Sequence, residues 1–140
     1  MKRIIFVGLH NKPYLAALHS STKTGKLIKR IIDKLPDDLN IVRTNLFDID
    51  HFPDETETPD LIMEWYWTHL PTEDDLIILL GQATQMYFET WIDHEDLNII
   101  KVAHPASRRS HKQMDEYVDN VVELTNPLNK RDEMETKNRR

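Results

Sequence analysis

Cysteine is absent from this chain of 140 residues. That excludes a structural disulfide, an iron–sulfur cluster held by thiolates and any zinc site built on cysteine. Glycine is almost as scarce, with 3 in the whole chain, too few for a dinucleotide-binding fingerprint. Thr24-Gly25-Lys26 lacks both the upstream glycine and the following Ser or Thr of a P-loop, so an NTPase is not expected. No apolar run approaches the roughly 18–20 residues that cross a bilayer. The start, Met1-Lys2-Arg3-Ile4-Ile5-Phe6-Val7, runs straight into Gly8 without the small-residue cleavage site of a secretory signal. A soluble, cytoplasmic protein with no membrane partner is the expectation. No serine sits in a nucleophile-elbow context. His51, His69, His94 and His111 are scattered without metal-ligand spacing, so neither a metal nor a cofactor is expected.

Positive charge is also in deficit. Lys and Arg number 18 against 24 Asp and Glu, a formal net charge of −6, which disfavours nonspecific grip on nucleic acid. The distribution is uneven, however. Acidic residues crowd Asp48 to Asp60 and Glu89 to Asp96, while basic residues gather at Lys23 to Arg30 and Lys101 to Lys112. A locally positive cleft on an acidic protein is therefore compatible with the composition.

What is present is an alternation of short apolar runs and helix-periodic segments. Arg3 to Val7 reads as a buried parallel strand ending at Gly8. Thr24 is placed to cap a helix to about Leu35, with Leu27, Ile28, Ile31, Ile32 and Leu35 on one face and Pro36-Asp37-Asp38 as its stop. Asn40 to Leu46 reads as a second strand. The acidic stretch Asp48 to Pro59, including Asp54, Glu55 and Glu57, reads as a solvated loop. A helix then carries Leu61, Ile62, Trp65, Tyr66 and His69, with Pro59 in its first turn. Asp75 to Leu80 reads as a third strand, Gln82 to Ile92 as a helix and Leu97 to Ala103 as a fourth strand. A last helix from about Ser110 to Leu124 aligns Met114, Tyr117, Val118, Val121 and Val122. Trp65, Trp67 and Trp91 read as packing residues. Such alternation predicts a three-layer α/β/α domain with a central four-stranded parallel sheet over residues 1–126, followed by a charged, flexible tail over 127–140.

Three polar loops follow three of these strands, where open α/β sheets place their ligands. The first is Gly8-Leu9-His10-Asn11-Lys12-Pro13. A glycine there lets the backbone turn and approach a ligand, and His10 or Asn11 can hold a water or a substrate oxygen. The second ends in Asn45, whose amide carries donors and an acceptor together, as reading the edge of a planar base demands. The third is His104-Pro105-Ala106-Ser107. His104 can donate a hydrogen bond to an oxygen that gains negative charge, Pro105 stiffens the loop, and the N–H groups of Ala106 and Ser107 suit a phosphate if a helix begins there. Each loop alone also has an ordinary reading as a turn or helix cap, which weighs most for the first loop and least for the third.

Together these segments resemble the uracil-DNA glycosylase superfamily over most of residues 2–124. Ile4-Ile5-Phe6-Val7-Gly8-Leu9 stands where that family keeps its water-activating motif, and Ser21 to Ile28 is similar to the segment opening its first long helix. Arg43-Thr44-Asn45-Leu46-Phe47 resembles its second strand, Asp75 to Gly81 its following buried strand, and Val102-Ala103-His104-Pro105-Ala106-Ser107 its His-Pro-Ser loop. The resemblance implies an enzyme that flips a deaminated base out of DNA and hydrolyses its N-glycosidic bond, as in DNA repair. By resemblance His104 stabilises the leaving base, Asn45 reads the pyrimidine edge, and Asn11 or His10 positions the water. Gly8, Leu9 and Ser107 then line the substrate site, with Tyr14 or His19 as the aromatic on which the base stacks. Lys23, Lys26, Arg108 and Arg109 are the expected contacts to DNA phosphate. The absence of cysteine leaves only the cluster-free branches of the superfamily. This sequence departs from the family in two places: Lys12 separates Asn11 from Pro13, and Ala106 stands where the family often has serine. The altered first loop and the acidic charge are also compatible with a catalytically inactive protein that binds a base, a nucleotide or nucleic acid on the same fold.

Overall fold

The computed structural model describes residues 3–10, 22–49, 51–105, 107 and 109–138, with side chains as far as Thr125. Four strands form one all-parallel sheet in the order β2-β1-β3-β4: β1 (Arg3–His10), β2 (Asn40–Phe47), β3 (Leu76–Leu80) and β4 (Asn98–Val102). The helices alternate with them: α1 (Lys23–Asp33), α2 (Glu57–His69), α3 (Gln82–Trp91) and α4 (His111–Asn138). The expected three-layer α/β/α architecture is the one observed.

Strand alternation divides the core. Ile4, Phe6, Leu76, Ile78 and Leu80 face α1 and α4, meeting Leu27, Ile28, Ile31, Tyr117, Val118 and Val121. Ile5, Val7, Ile77 and Leu79 point the other way, onto Ile62 and Trp65 of α2 and Phe88 of α3. Because β1 and β3 are buried on both faces, they read as continuous apolar runs instead of alternating ones. The crossover β1-α1-β2 places β2 on one flank of β1, and β2-α2-β3 then crosses back to place β3 on the other. The topological switch point therefore lies between β1 and β3, and the crevice outside their carboxyl ends is where this architecture binds ligands.

The first crossover starts two residues earlier than expected: Thr22, not Thr24, caps α1 and accepts from the Gly25 N–H at 2.9 Å. β1 does not stop at Gly8 but pairs with β2 as far as His10 opposite Phe47. Gly8 is thus a strand residue, and the glycine with a positive φ is Gly81, at +92°. Asp54 is more than a solvated loop residue. Its carboxylate accepts from the N–H groups of Thr56 and Glu57, both at 2.9 Å, and satisfies orphan donors at the start of α2. Trp65 is buried, as expected, but Trp67 is 67 % and Trp91 43 % exposed. Trp67 follows Trp65 by two positions, about 200° around a helix of 3.6 residues per turn, which turns it away from the sheet. α4 continues as helix to Asn138, well past Leu124. No helix among the described residues is long and apolar enough to cross a membrane.

Candidate functional site at the carboxyl ends of the strands

The last loop is built as a β-turn. The Ser107 N–H donates to the His104 carbonyl at 3.0 Å, with Pro105 at the second position, where its fixed φ is favourable. α4 does not begin inside this turn. Its first turn is closed by a capping box, with the Ser110 N–H donating to Gln113 Oε1 at 2.9 Å and the Gln113 N–H to Ser110 Oγ at 3.2 Å. The expected helix start at Ser107 is therefore not observed: the Ser107 N–H is engaged in the turn and the helix opens at His111, while Ala106 lies outside the described residues.

His104 packs against Gly81. A Cβ added to Gly81 would lie 3.1 Å from both Cβ and Cδ2 of His104, close enough that the imidazole would have to give by a few tenths of an ångström. Gly81 in turn donates its N–H to the Val102 carbonyl at 2.9 Å, and Gln85 Nε2 donates to the same carbonyl at 3.1 Å, tying the start of α3 to the end of β4. Gly81, Gln82, Gln85, Lys101, His104 and Ser107 border one cavity of about 560 Å³. Partial burial, and secondarily the positive charge of Arg109, lower the His104 pKa below its ordinary 6.5. At neutral pH the ring is an uncharged imidazole, able to donate one N–H without carrying a proton to be lost.

Asn45 occupies the other edge of the sheet. It pairs with Gly8 of β1 near the end of β2. The residue is 4 % exposed, and its Nδ2 has no hydrogen-bond partner among the described residues. Leaving a buried amide donor unmet costs about 1–3 kcal/mol. Asn45 also borders a cavity of about 170 Å³ on the α2 side of β2, together with Thr44, Asp48, Glu64 and His69. There Trp65 Nε1 donates to Thr44 Oγ1 at 3.1 Å, and that hydroxyl lies 3.1 Å from His69 Nε2. Having accepted from tryptophan, the hydroxyl can give its proton to His69. Burial and the nearby Arg3 lower the His69 pKa, in keeping with an imidazole that accepts.

At the end of β1, His10 Nε2 lies 2.9 Å from the Ile49 carbonyl. A carbonyl can only accept, so Nε2 carries the proton and Nδ1 is the acceptor of the neutral ring. The His10 ring also meets Phe52 edge-on, with centroids 6.0 Å apart. Leu9 packs its side chain into the core beneath α2 and α3.

His104, Ser107 and Gly81 are thus brought together on the β3–β4 side, and Gly8 and Asn45 on the β1–β2 side. The two groups lie on either side of the switch point, and Asn45 and His104 border separate cavities. β2 and β4 are three strand steps apart, about 14 Å at roughly 4.8 Å per step. Lys23 and Lys26 are exposed in the first turn of α1, which rises from the same end of the sheet. Arg109 is engaged with the protein itself: its Nη1 faces the carbonyls of His104, Pro105 and Ser107 at 3.0, 3.1 and 3.0 Å. Asn11, Tyr14, His19 and Arg108 lie outside the described residues. No group of three or more His, Asp or Glu suited to a metal ion occurs among the described residues.

Sequence reasoning missed Gly81, Gln85 and the part played by Tyr117. The signal for Gly81 was there, a glycine directly after an apolar strand; that of Tyr117 was hidden among the core positions of α4. No family model matches this chain, and no curated protein or solved structure matches it either.

Proposed function

We propose that the protein recognises a base of DNA and hydrolyses the N-glycosidic bond of uracil or a related deaminated base. The observation that carries this reading is the buried, unpartnered Nδ2 of Asn45, which stands opposite Gly8 at the carboxyl end of β2. A donor kept dry and unmet at the binding end of an α/β sheet is a cost that a carbonyl of a bound base would remove. A base lying across the ends of β1 and β3 would have Asn45 on one side and His104 on the other.

The chemistry follows from the charges. As the C1′–N1 bond breaks, its electron pair stays with the base and negative charge grows on the O2 oxygen. A neutral His104, already below its ordinary pKa, stabilises that oxygen by donating an N–H without first needing protonation. Water adds its oxygen to C1′ and gives up a proton. His10, with Nδ1 as its acceptor, or Asn11 positions that water. Lys23 and Lys26 supply phosphate contacts beside the cleft. Since the reaction needs only water and neutral donors, no cofactor enters it.

The second reading is a protein that binds a base, nucleotide or nucleic acid without cleaving it. The expenditure of Arg109 on its own loop favours it, because it removes one expected phosphate contact. A gel assay for alkali-labile sites separates the two, with uracil in single-stranded and duplex DNA and with His104→Ala and Asn45→Ala run alongside. Cleavage that depends on both residues supports the hydrolase. Absence of cleavage in both strand contexts, with uracil affinity retained, supports the binding protein.

A further inference from the structure

We propose that Arg109 and Tyr117 are positioning residues that hold the His104 loop in its working geometry. This rests on the reading of His104 as the donor to the leaving base, but the clamp is defined by contacts of its own. Four carbonyls of the loop are anchor points: Ala103, His104, Pro105 and Ser107. Tyr117 Oη donates to the first at 2.6 Å, and Arg109 Nη1 serves the other three at 3.0 to 3.1 Å. The guanidinium carbon lies 4.2 Å from the centre of the Tyr117 ring, a cation–π distance. Tyr117 is 8 % exposed and belongs to the core between α1, α4 and the sheet. A continuous path of contacts therefore runs from the core through the phenol ring to the guanidinium, and from there to the backbone that carries the imidazole.

Nη1 has two N–H groups for three carbonyls, so they are shared within the turn, while the flat guanidinium keeps its carbon over the Tyr117 ring. The compact, strongly hydrated ammonium of lysine has no planar face to lay on that ring. With Gly81 on one side and the turn pinned on the other, the imidazole has little freedom to move. The charged and titratable groups around it, among the described residues, are Arg109, Tyr117 and Lys101, the last paired with Glu89. α3 contributes the neutral Gln82 and Gln85. The fixed charge of Arg109 thus has a second effect, disfavouring the imidazolium form of His104.

The test uses the full chain with Arg109→Gln, Arg109→Lys and Tyr117→Phe. The ring signals of His104 are followed by NMR through a pH titration, and excision of uracil from DNA is followed kinetically. Arg109→Gln should raise the His104 pKa and lower kcat by about tenfold or more, since small misplacements of a catalytic group cost up to about a hundredfold, with little change in KM for DNA. Arg109→Lys should keep the low His104 pKa yet fail to restore kcat. Tyr117→Phe, which keeps the ring and removes one hydrogen bond, should leave the pKa in place, shift the His104 ring signals and lower kcat less than Arg109→Gln does. A His104 titration and ring environment unchanged in all three folded variants would overturn the proposal. So would an Arg109→Gln protein altered only in KM and its salt dependence, which would assign Arg109 to DNA phosphate. The NMR arm needs no turnover, so a protein that proves not to excise uracil still decides whether the clamp exists.

Discussion

Gly81 and His104 are packed closely together: a methyl on the glycine would stand 3.1 Å from the histidine Cβ and Cδ2. The relationship ties the end of β3 to the loop after β4 and makes the position of the imidazole depend on a residue far away in sequence. Gly81 also has φ of +92° and ψ of 159°, a region open essentially to glycine alone. Gly81→Ala should therefore destabilise the protein by about 1–3 kcal/mol and displace the His104 ring. Equilibrium unfolding in urea, with an NMR spectrum of the histidines, checks both effects. A variant as stable as the parent, with an unmoved His104, would refute the packing argument.

The two half-buried histidines give stability a sign on the pH axis. His69 and His104 both have native pKa values below their ordinary 6.5, so the unfolded chain binds more protons than the native one between those values. Their contribution is complete above about pH 6.5 and is lost as pH falls from there toward the native values, below which it changes no further. Thermal unfolding from pH 7.5 down to pH 5 should show a falling Tm, with a shallower fall in His69→Phe. A Tm that rose over this interval would contradict the assignment.

Arg3 and Asp75 hold the opposite end of the sheet together. The guanidinium donates Nε to Oδ1 at 3.1 Å and Nη2 to Oδ2 at 2.8 Å, while Nη2 also caps the His69 carbonyl at the end of α2 at 2.8 Å. Asp75 is fully buried and accepts the Thr72 N–H at 2.9 Å. Asp75→Ala removes the buried partner of an arginine that is itself part-exposed and still bonded to the His69 carbonyl, and leaves the Thr72 N–H unmet. It should cost about 1–3 kcal/mol. A loss under about 1 kcal/mol in urea unfolding, the scale of an exposed pair, would show that this ion pair behaves as a surface contact.

Asn45 should show the reverse pattern. Removing a buried donor that has no partner relieves a cost of about 1–3 kcal/mol, offset by the small void left behind. Asn45→Ala is accordingly expected to stay within about 1 kcal/mol of the parent in stability while losing base recognition. A large destabilisation would mean that the amide holds the fold and not a ligand.

Much of the architecture was legible because the strands are buried on both sides. Apolar runs such as Ile4 to Val7 and Leu76 to Leu80 admit few other readings, and the faces of α1, α2 and α4 follow from helical spacing. The errors have local causes. Gly8 read as a turn, but pairing with β2 carries the strand through it. The spacing of apolar residues says nothing about whether Arg109 faces DNA or its own loop, since that depends on which carbonyls the turn leaves unmet. The capping box at Ser110 and Gln113 was visible in principle as Ser-x-x-Gln before an apolar stripe. Asn45 and His104 were named from the sequence as site residues. That they follow the two outer strands, β2 and β4, with β1 and β3 between them, depends on the strand order, which a list of strand-end loops does not contain.

The central claim is that the Asn45 amide waits for the edge of a base, and NMR of that amide tests it most directly. A ¹⁵N-labelled protein would be titrated with free uracil, cytosine and hypoxanthine, and the Asn45 side-chain signal assigned by its loss in Asn45→Ala. The account predicts a saturable shift of the Asn45 Nδ2 protons with at least one base, accompanied by a shift of the His104 ring signals. An amide that stays unmoved by every base, while the protein remains folded, would contradict base recognition and with it both the hydrolase and the binding reading.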